Sequence, residues 1–431
     1  MIKVFNEPAE KDWPILLARP AMDATHLVAQ VQFIIEDVKS NGDEALKRYT
    51  LELDKVAVNE LQLSAEQIAA AENELTPSLK TAIQLAKVNI EVFHQSQIQQ
   101  VERIETMAGV WCWRKSVGIE KVGIYIPGGS APLFSTVLML GIPAKMAGCK
   151  EIILCSPPNE LGSLHPAILY AASLVGVTSI FTIGGAQAIA AMALGTATVP
   201  RVYKIFGPGN QYVTAAKQLV QQTGVAIDMP AGPSEVCVWA DETCIPSFVA
   251  ADLLSQAEHG ADSQVLLIAN TLSIIEAVQK ELDQQLSLLP RKELAEKALK
   301  NSKVIVLNNP DAAIACINEY APEHLILSIE NAAQMADKIT NAGSIFIGNY
   351  SPESVGDYAS GTNHTLPTNG FAKAYSGVSL DSFVKKITFQ QITERGLSNI
   401  ASTVIEMAEA EGLQAHSNAV GVRLKWLASK I

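Results

Sequence analysis

The sequence lacks the features that would indicate a membrane or an oxidising compartment. No stretch contains the run of about twenty apolar residues that crosses a bilayer. The first residues, Met1 to Glu7, lack the basic segment and apolar run of a signal peptide. The six cysteines include no CxxC pair and no disulfide-like spacing, which indicates reduced thiols. These absences favour a cytoplasmic protein.

Positive charge is also scarce. There are 32 basic residues against 44 acidic ones, so the formal net charge is -12. The densest basic group, around Lys385 and Lys386, is too small to follow a phosphate backbone, so we expect no binding to nucleic acid or to a membrane. The hydrophobic fraction of 48% is typical of a globular protein, and 431 residues exceed the size of a single core.

The hydrophobic pattern predicts helices first and βαβ units afterwards. Up to about residue 105 apolar residues recur at helical spacing, as in the run from Val28 to Val38 that ends at Asn41-Gly42. From Val122 short β-branched runs alternate with stretches of helix length rich in alanine and leucine. The predicted strands are 122–126, 151–155, 179–183, 265–269, 304–307, 325–329 and 344–347. After Val378 the pattern is helical.

This order predicts an α/β fold in which two incomplete Rossmann-like parallel-sheet domains lie between a helical N-terminal region and a helical C-terminal tail. The two successive α/β halves hint at an internal duplication, but no short period repeats along the chain. The tail is too short to bury much of its own apolar surface, so we expect it to pack on a partner subunit.

Glycine-rich turns precede three of the predicted helices. They are Pro127-Gly128-Gly129-Ser130, Gly184-Gly185-Ala186-Gln187 and Gly207-Pro208-Gly209-Asn210. Glycines at the carboxyl end of a strand let a ligand approach the backbone, and free N–H groups at a helix start bind phosphate. We therefore expect a ligand crevice there. The chain has no GxGxxG motif, which predicts a non-standard dinucleotide site.

Several histidines stand among other polar residues. Gln256 and His259 are three residues apart near the end of a predicted helix, so their side chains share a face and could meet one ion. Asp357 and His416 would complete a set of two oxygen and two nitrogen ligands, which suits zinc and also manganese or cobalt. The alternative is that each is an ordinary solvated residue. Surface or helix-capping positions are expected for His26, His94 and His165.

Glu323 and His324 form a titratable pair immediately before a predicted strand. Adjacent side chains normally diverge, but the bend expected at Pro322 would direct both into one cavity. The alternative is a loop glutamate beside a partly buried histidine. His364 follows Asp357 in the same polar loop, where both side chains could address one ligand.

Together these motifs resemble the histidinol dehydrogenase family, in the order found there and from about residue 25 to the C-terminus. The matching segments are Tyr125-Ile-Pro-Gly-Gly-Ser-Ala-Pro-Leu, Gly184-Gly-Ala-Gln-Ala-Ile-Ala, Phe206-Gly-Pro-Gly-Asn, Asp228-Met-Pro-Ala-Gly-Pro-Ser-Glu, Gln256-Ala-Glu-His, Ala321-Pro-Glu-His-Leu and Gly356-Asp-Tyr-Ala-Ser-Gly. One departure is Thr362, where the family more often has proline. This change affects loop stiffness and removes no functional group.

The resemblance implies zinc-dependent, NAD-linked oxidation of L-histidinol through L-histidinal to L-histidine, the last steps of histidine biosynthesis. It implies one Zn2+ per subunit, replaceable by Mn2+, with the ligands Gln256, His259, Asp357 and His416. The implied proton acceptors are Glu323 and His324, and the implied NAD contacts are Tyr125, Gln187 and Asn210. The implied substrate contacts are Ser234, Gln256, His259, His324, Asp357, His364, Glu411 and His416.

The resemblance also implies a homodimer in which the tail crosses over, so that Glu411 and His416 complete the partner's site. We accordingly divide the chain into an N-terminal arm (1–24), a first α/β domain with most of the metal and catalytic site (25–119 and 235–378), an NAD-binding domain (120–234) and a tail (379–431).

Three alternatives differ in chemistry. A cysteine nucleophile, Cys112 or Cys149, could carry the aldehyde step, but neither has a nearby histidine in the sequence, so we favour water. A zinc hydrolase could use Glu323 as its base, but it has no need of the glycine-rich turns. A metal-binding scaffold protein would leave the pair Glu323-His324 unexplained.

Overall fold

The structure, a computed structural model, describes residues 2–19, 24–128, 131–230 and 232–430. The chain divides into two compact units. Unit 1 comprises Met1–Gln97 and Ile119–Phe383, and unit 2 comprises Ile98–Gly118 and Val384–Ile431. Parts of the predicted N-terminal arm and of two motifs, including Gly129, Ser130 and Ala231, lie outside the described residues.

The strands, in chain order, are β1 (Lys3–Asn6), β2 (Arg103–Met107), β3 (Val110–Gly118), β4 (Lys121–Tyr125), β5 (Glu151–Ser156), β6 (Ser179–Thr182), β7 (Lys204–Phe206), β8 (Ala226–Ile227), β9 (Glu235–Ala240), β10 (Gln264–Ala269), β11 (Lys303–Val306), β12 (His324–Ser328), β13 (Ser344–Ile347) and β14 (Val384–Ile392).

The helices are α1 (Trp13–Leu16), α2 (Ala24–Tyr49), α3 (Ala65–Ala70), α4 (Pro77–Gln95), α5 (Phe134–Met146), α6 (Pro166–Val175), α7 (Gly185–Leu194), α8 (Gln211–Val220), α9 (Pro246–Ala257), α10 (Leu272–Leu286), α11 (Lys292–Asn301), α12 (Pro310–Tyr320), α13 (Ala332–Ala336), α14 (Glu353–Tyr358), α15 (Glu394–Ala410) and α16 (Gln414–Ala428). A π-helical turn, Thr50–Asp54, follows α2. Within the described residues, no helix combines the length and the apolar character needed to span a membrane.

Two parallel sheets form the centre of unit 1. One has the strand order β6-β5-β4-β7-β8, and the other has the order β1-β11-β10-β9-β12-β13. If β1 at the edge is set aside, both sheets arrange their five remaining strands in the order 3-2-1-4-5. This is the doubly wound Rossmann order without its sixth strand. The prediction of two incomplete Rossmann-like sheets is confirmed.

Helices cover both faces of the five-stranded sheet. Helices α2, α7 and α8 pack on one face, and α4, α5 and α6 pack on the other. Strands buried on both faces consist of continuous apolar runs, which is why the sequence pattern located β4, β5 and β6. Val31, Ile35 and Val38 are buried along α2, and the helix breaks at Gly42 (φ 52°), as predicted.

Three strands contradict the predicted pattern. The N-terminal region, expected to be helical up to about residue 105, contains β1 and β2, and the tail, expected to lack strands, begins with β14. Strands β3, β7, β8 and β9 were not among the predicted strands. In β14 most residues are exposed, so the strand lacks the alternation of buried and exposed positions that marks a sheet with one buried face.

Unit 2 consists of a three-stranded antiparallel sheet and two helices. Strand β14 pairs with β3 from Val384 opposite Gly118 to Ile392 opposite Val110, and β2 pairs with the other edge of β3. Helices α15 and α16 pack against each other. The C-terminal segment is helical after β14, as the fold prediction stated.

Candidate functional site

A cavity of about 1150 Å3 opens at the carboxyl ends of the five-stranded sheet. Strands β4, β6 and β7 each lead into one of the three glycine-rich turns, where the sequence predicted a crevice. Tyr125, Gln187 and Asn210, the residues expected to contact NAD, all line this cavity. The carboxyl edge at a reversal of strand order is the usual ligand position in such sheets.

Two of these side chains, Tyr125 and Gln187, have polar atoms that can hydrogen-bond to a ligand. The Tyr125 hydroxyl accepts a hydrogen bond from the Gly185 N–H at 3.0 Å, and burial raises the pKa of the phenol, which keeps its proton for donation. Gln187 is 1% exposed, and neither atom of its amide group has a hydrogen-bond partner among the described residues. Unpaired buried polar atoms cost free energy, so a ligand that pairs with them binds favourably.

The turn that carries Asn210 is held by a buried ion pair. Gly207 has φ 128°, and a Cβ atom there would lie 2.1 Å from the carbonyl oxygen of Tyr125. Asp228 accepts the Gly207 N–H at 2.8 Å, while Lys217 donates to the Gly207 carbonyl at 2.8 Å and pairs with Asp228. The Asn210 side chain caps α8. Asp228 and Lys217 therefore hold the turn at the cavity edge through the N–H and the carbonyl of Gly207.

A second group of polar residues lies at the amino ends of β9 and β12, in the six-stranded sheet. Ala321, with φ 51°, ends α12 and starts the bend through Pro322. Glu323 and His324 are 6% and 3% exposed, so both side chains are buried. Glu323 thus lies in the bend before β12, as in the loop alternative, but it is buried.

Both members of this pair are bound to the backbone of Glu235, the first residue of β9. The Glu235 N–H donates to Oε2 of Glu323 at 2.9 Å, and Nδ1 of His324 lies 3.2 Å from the Glu235 carbonyl oxygen. A carbonyl accepts, so Nδ1 carries the proton and Nε2 is the nitrogen that can exchange one. Ser234, just before β9, is half-buried.

Burial and charge alter both titrating groups. Burial raises the pKa of the Glu323 carboxyl to about 8. Burial opposes a charged imidazole at His324, but the carboxylates of Glu353 and Glu323 outweigh that effect and hold the pKa of His324 well above its usual value. Strong shifts with a named charge partner are typical of functional sites.

The same region contains a group of potential metal ligands. His259, Glu353 and Asp357 offer ligand atoms that all lie within 4.8 Å of one another. Glu353 and Asp357 stand four residues apart on α14 and therefore on one face. With its nitrogen facing Glu353, the Gln256 amide donates to Oε1 of that carboxylate at 2.5 Å, and its oxygen accepts the Glu235 N–H at 3.2 Å.

These residues fit a divalent cation. Oδ1 of Asp357 and Nε2 of His324 lie 3.5 Å apart, and neither has a hydrogen-bond partner among the described residues. Burial raises the pKa of the Glu353 carboxyl, which shows how unfavourable a further negative charge is here. Imidazole nitrogens and carboxylate oxygens are common zinc ligands. A cation would neutralise the carboxylates that stabilise charged His324 and free the imidazole to accept a proton.

His364 links this group to the five-stranded sheet. Its Nδ1 lies 2.8 Å from the Asp357 carbonyl oxygen, and its Nε2 lies 3.0 Å from the Thr136 hydroxyl on α5. The neighbouring Asn363 donates to the Met139 carbonyl at 2.6 Å. The segment after α14 that carries Asn363 and His364 is therefore attached to α5, and both ring nitrogens of His364 lie within hydrogen-bond distance of a protein atom.

The structure distributes the expected site residues over both units. Unit 1 brings together three predicted metal ligands, Gln256, His259 and Asp357, with the pair Glu323 and His324. Glu411 and His416 belong to unit 2, where both are exposed.

Sequence reasoning missed Glu353 and Glu235. The signal for Glu353, an acidic residue one turn before Asp357, is also typical of ordinary helix starts, and nothing in the sequence marks Glu235 as buried.

The positions of the remaining histidines can be compared with those predicted from the sequence. His165 caps α6, as predicted, by accepting the Ala167 N–H at 3.2 Å, and His26 is exposed at the cavity. His94 is fully buried, so its expected surface position is wrong.

Burial raises the pKa of Cys149 to about 11, which disfavours the thiolate that a cysteine nucleophile needs. Cys112 lies on β3 in unit 2.

Comparison with known proteins gives one consistent result. A family model described as histidinol dehydrogenase matches residues 17–424. A histidinol dehydrogenase from Bacteroides thetaiotaomicron is 58% identical over 427 residues, covering 99% of this chain and 100% of the relative. One from Yersinia pestis is 52% identical and covers 97% of this chain and 95% of the relative. The crystal structure of histidinol dehydrogenase from Elizabethkingia anophelis superimposes with a TM-score of 0.97, at 56% identity and 99% coverage of both chains. The chain therefore belongs to the histidinol dehydrogenase family.

Proposed function

We propose that this chain oxidises L-histidinol through L-histidinal to L-histidine with NAD as hydride acceptor. The observation that carries the proposal is the joint burial of Glu323 and His324 beside the ligand atoms of His259, Glu353 and Asp357. The cavity at the five-stranded sheet supports binding of NAD within residues 120–234. Residues 25–119 and 235–378 would supply most of the metal and catalytic site.

We assign the metal site to Gln256, His259 and Asp357, with the fourth ligand from His416 of the partner subunit. Zinc, replaceable by manganese, would hold the substrate so that the same carbon faces both hydride acceptors in turn. Glu353 has a supporting role in this scheme. By accepting from the Gln256 nitrogen it would orient the amide and leave its oxygen as the ligand atom.

His324 and Glu323 would serve different proton transfers. Because Nδ1 of His324 is engaged with the Glu235 carbonyl, Nε2 would take the hydroxyl proton as the first hydride leaves for NAD. Glu323, buried beside His324, would then deprotonate the water that attacks the aldehyde. The hydrate formed would pass the second hydride to a second NAD and lose a hydroxyl proton to water, which yields the carboxylic acid. Ser234 and His364 would complete the substrate contacts within unit 1, His364 by exchanging its hydrogen bond with the Thr136 hydroxyl for one with the substrate.

The test supplies histidinol and histidinal separately and follows NADH by its near-ultraviolet absorbance. His324→Asn should mainly slow the alcohol step and Glu323→Gln mainly the aldehyde step, each by roughly 10²- to 10⁴-fold. Equal slowing of both substrates by both variants would contradict the division of roles. A zinc hydrolase would hydrolyse a substrate without forming NADH, and a scaffold protein would show neither activity.

We further propose a homodimer in which Glu411 and His416 complete the partner's site. Their exposure in unit 2 and the exposed apolar side chains of Met407, Leu413 and Trp426 support a role at a subunit interface. A chain truncated before Glu411, mixed with a His259→Ala chain, should regain activity by forming one complete site. Activity in the truncated chain alone would contradict the exchange.

A further inference from the structure

We propose that Asp54 selects the cofactor by accepting hydrogen bonds from the free 2′,3′-diol of its adenosine ribose, and that it excludes the 2′-phosphorylated form. The inference rests on the proposed NAD site and adds a residue and a specificity to it. Three observations support it. Asp54 lines the cavity, the cavity lining has little positive charge, and Asp54 lies on the side of the five-stranded sheet that α2 covers.

Asp54 ends the π-helical turn after α2 and lines the cavity together with Tyr49. Its Oδ2 atom is buried without a hydrogen-bond partner among the described residues. Burial raises the pKa of this carboxyl to about 6, so it is ionised at neutral pH. Among the described residues, no hydrogen-bond donor or cation stabilises its negative charge. A buried, unpaired carboxylate oxygen is costly, and a ligand with hydroxyl donors would remove that cost.

The charge of the wall selects among nucleotides. Asp54 is the one carboxylate among the described residues that line the cavity, and those residues include no lysine or arginine. The following residue, Lys55, donates to the Glu52 carbonyl at 2.7 Å. A 2′-phosphate would therefore meet a negative charge without a lysine or arginine beside it, and the arginine that usually accommodates this phosphate has no counterpart in the described wall. A neutral diol offers two donors to the carboxylate instead.

The faces of the sheet indicate which ribose is concerned. Asp54 follows α2, which packs with α7 and α8 on one face of the five-stranded sheet. His364, which follows α14 and Asp357, contacts Thr136 of α5 on the opposite face. A dinucleotide lying across the sheet edge with its nicotinamide towards Glu353 and Asp357 would place its adenosine towards α2. The carboxylate thus comes from the helical N-terminal region and not from the sheet.

The test compares NAD, NADP and 2′-deoxy-NAD, modified on the adenosine ribose, in turnover of histidinol and in direct calorimetric binding to the metal-loaded dimer. Asp54→Asn should lower kcat/KM for NAD by roughly 10- to 150-fold, mainly through KM. It should also reduce the preference for NAD over NADP at least about tenfold. The unmodified protein should bind 2′-deoxy-NAD more weakly than NAD, and the variant should bind the two alike. Glu52→Gln removes an exposed charge from the same turn and should leave all three ratios unchanged.

Two results would overturn the assignment. One is an unchanged NAD to NADP ratio in Asp54→Asn, and the other is undiminished sensitivity of the variant to loss of the 2′-hydroxyl. Asp54→Ser provides the same comparison if the asparagine variant folds poorly, as judged by thermal unfolding. Failure of the unmodified protein to reduce NAD would instead contradict the proposed function, and the binding measurements would still test Asp54.

Discussion

Removing the charge of Arg19 tests how the site at the amino ends of β9 and β12 is supported. Nε of Arg19 lies 2.6 Å from Oε2 of Glu235, and the side chains are 17% and 2% exposed. Arg19 also donates to the Tyr320 carbonyl at 2.7 Å, and its guanidinium lies 4.1 Å from the centre of the Tyr320 ring. Its loss would leave Glu235 as a buried carboxylate without its cationic partner.

The expected magnitude follows from that burial. Breaking a buried ion pair on one side costs about 3–5 kcal/mol, whereas replacing both charges is often close to neutral. Arg19→Met should therefore lower the free energy of unfolding by about 3–5 kcal/mol, and Arg19→Met combined with Glu235→Gln should lower it by less. The double variant keeps an acceptor for the Asn369 N–H that Glu235 now binds.

Urea unfolding of the four proteins in a double-mutant cycle measures this coupling. Circular dichroism and tryptophan fluorescence should give coincident transitions if the free energies are to be compared. A cost below about 1 kcal/mol for Arg19→Met would show a solvent-screened pair, as at a protein surface. Additive costs in the double variant would show that the two charges do not depend on each other. Either result would refute the reasoning.

Three further predictions concern the cavity, pH and the metal. Gly207→Ala should weaken NAD binding in calorimetry because its Cβ atom would clash with the Tyr125 carbonyl oxygen, whereas Gly224→Ala, also at positive φ but in open space, should not. Burial lowers the pKa of His94 from its ordinary 6.5, so the folded state should lose stability as pH falls below that value, where the unfolded chain takes up a proton that the buried ring resists. In urea titrations above and below that pH, His94→Gln, which keeps a donor for the Ile90 carbonyl, should lose this dependence, and equal pH slopes for the two proteins would contradict it. Chelation should abolish oxidation of histidinol and added zinc or manganese should restore it, while full activity in demonstrably metal-free protein would refute the metal site.

The sequence alone predicted the features that local pattern encodes. Strands buried on both faces appear as continuous apolar runs, so β4, β5, β10 and β12 were located and the α/β class followed from their alternation with helices. The glycine-rich turns marked the carboxyl edge of the five-stranded sheet, because close approach of a ligand to the backbone requires them. The motif resemblance then identified the family, which the comparisons confirmed.

Only the tertiary structure decided which polar residues share an environment. Glu235, Glu353 and Asp54 have the same local signals as many solvated carboxylates, and their burial depends on elements far away in the chain. Arg19, for example, forms an ion pair with Glu235, which lies 216 residues further along the chain. The exposed strand β14 was missed because its pairing with β3 rests on backbone hydrogen bonds to a distant segment. Periodicity records which face of an element is buried, whereas charge pairing and strand pairing depend on how the chain is brought together.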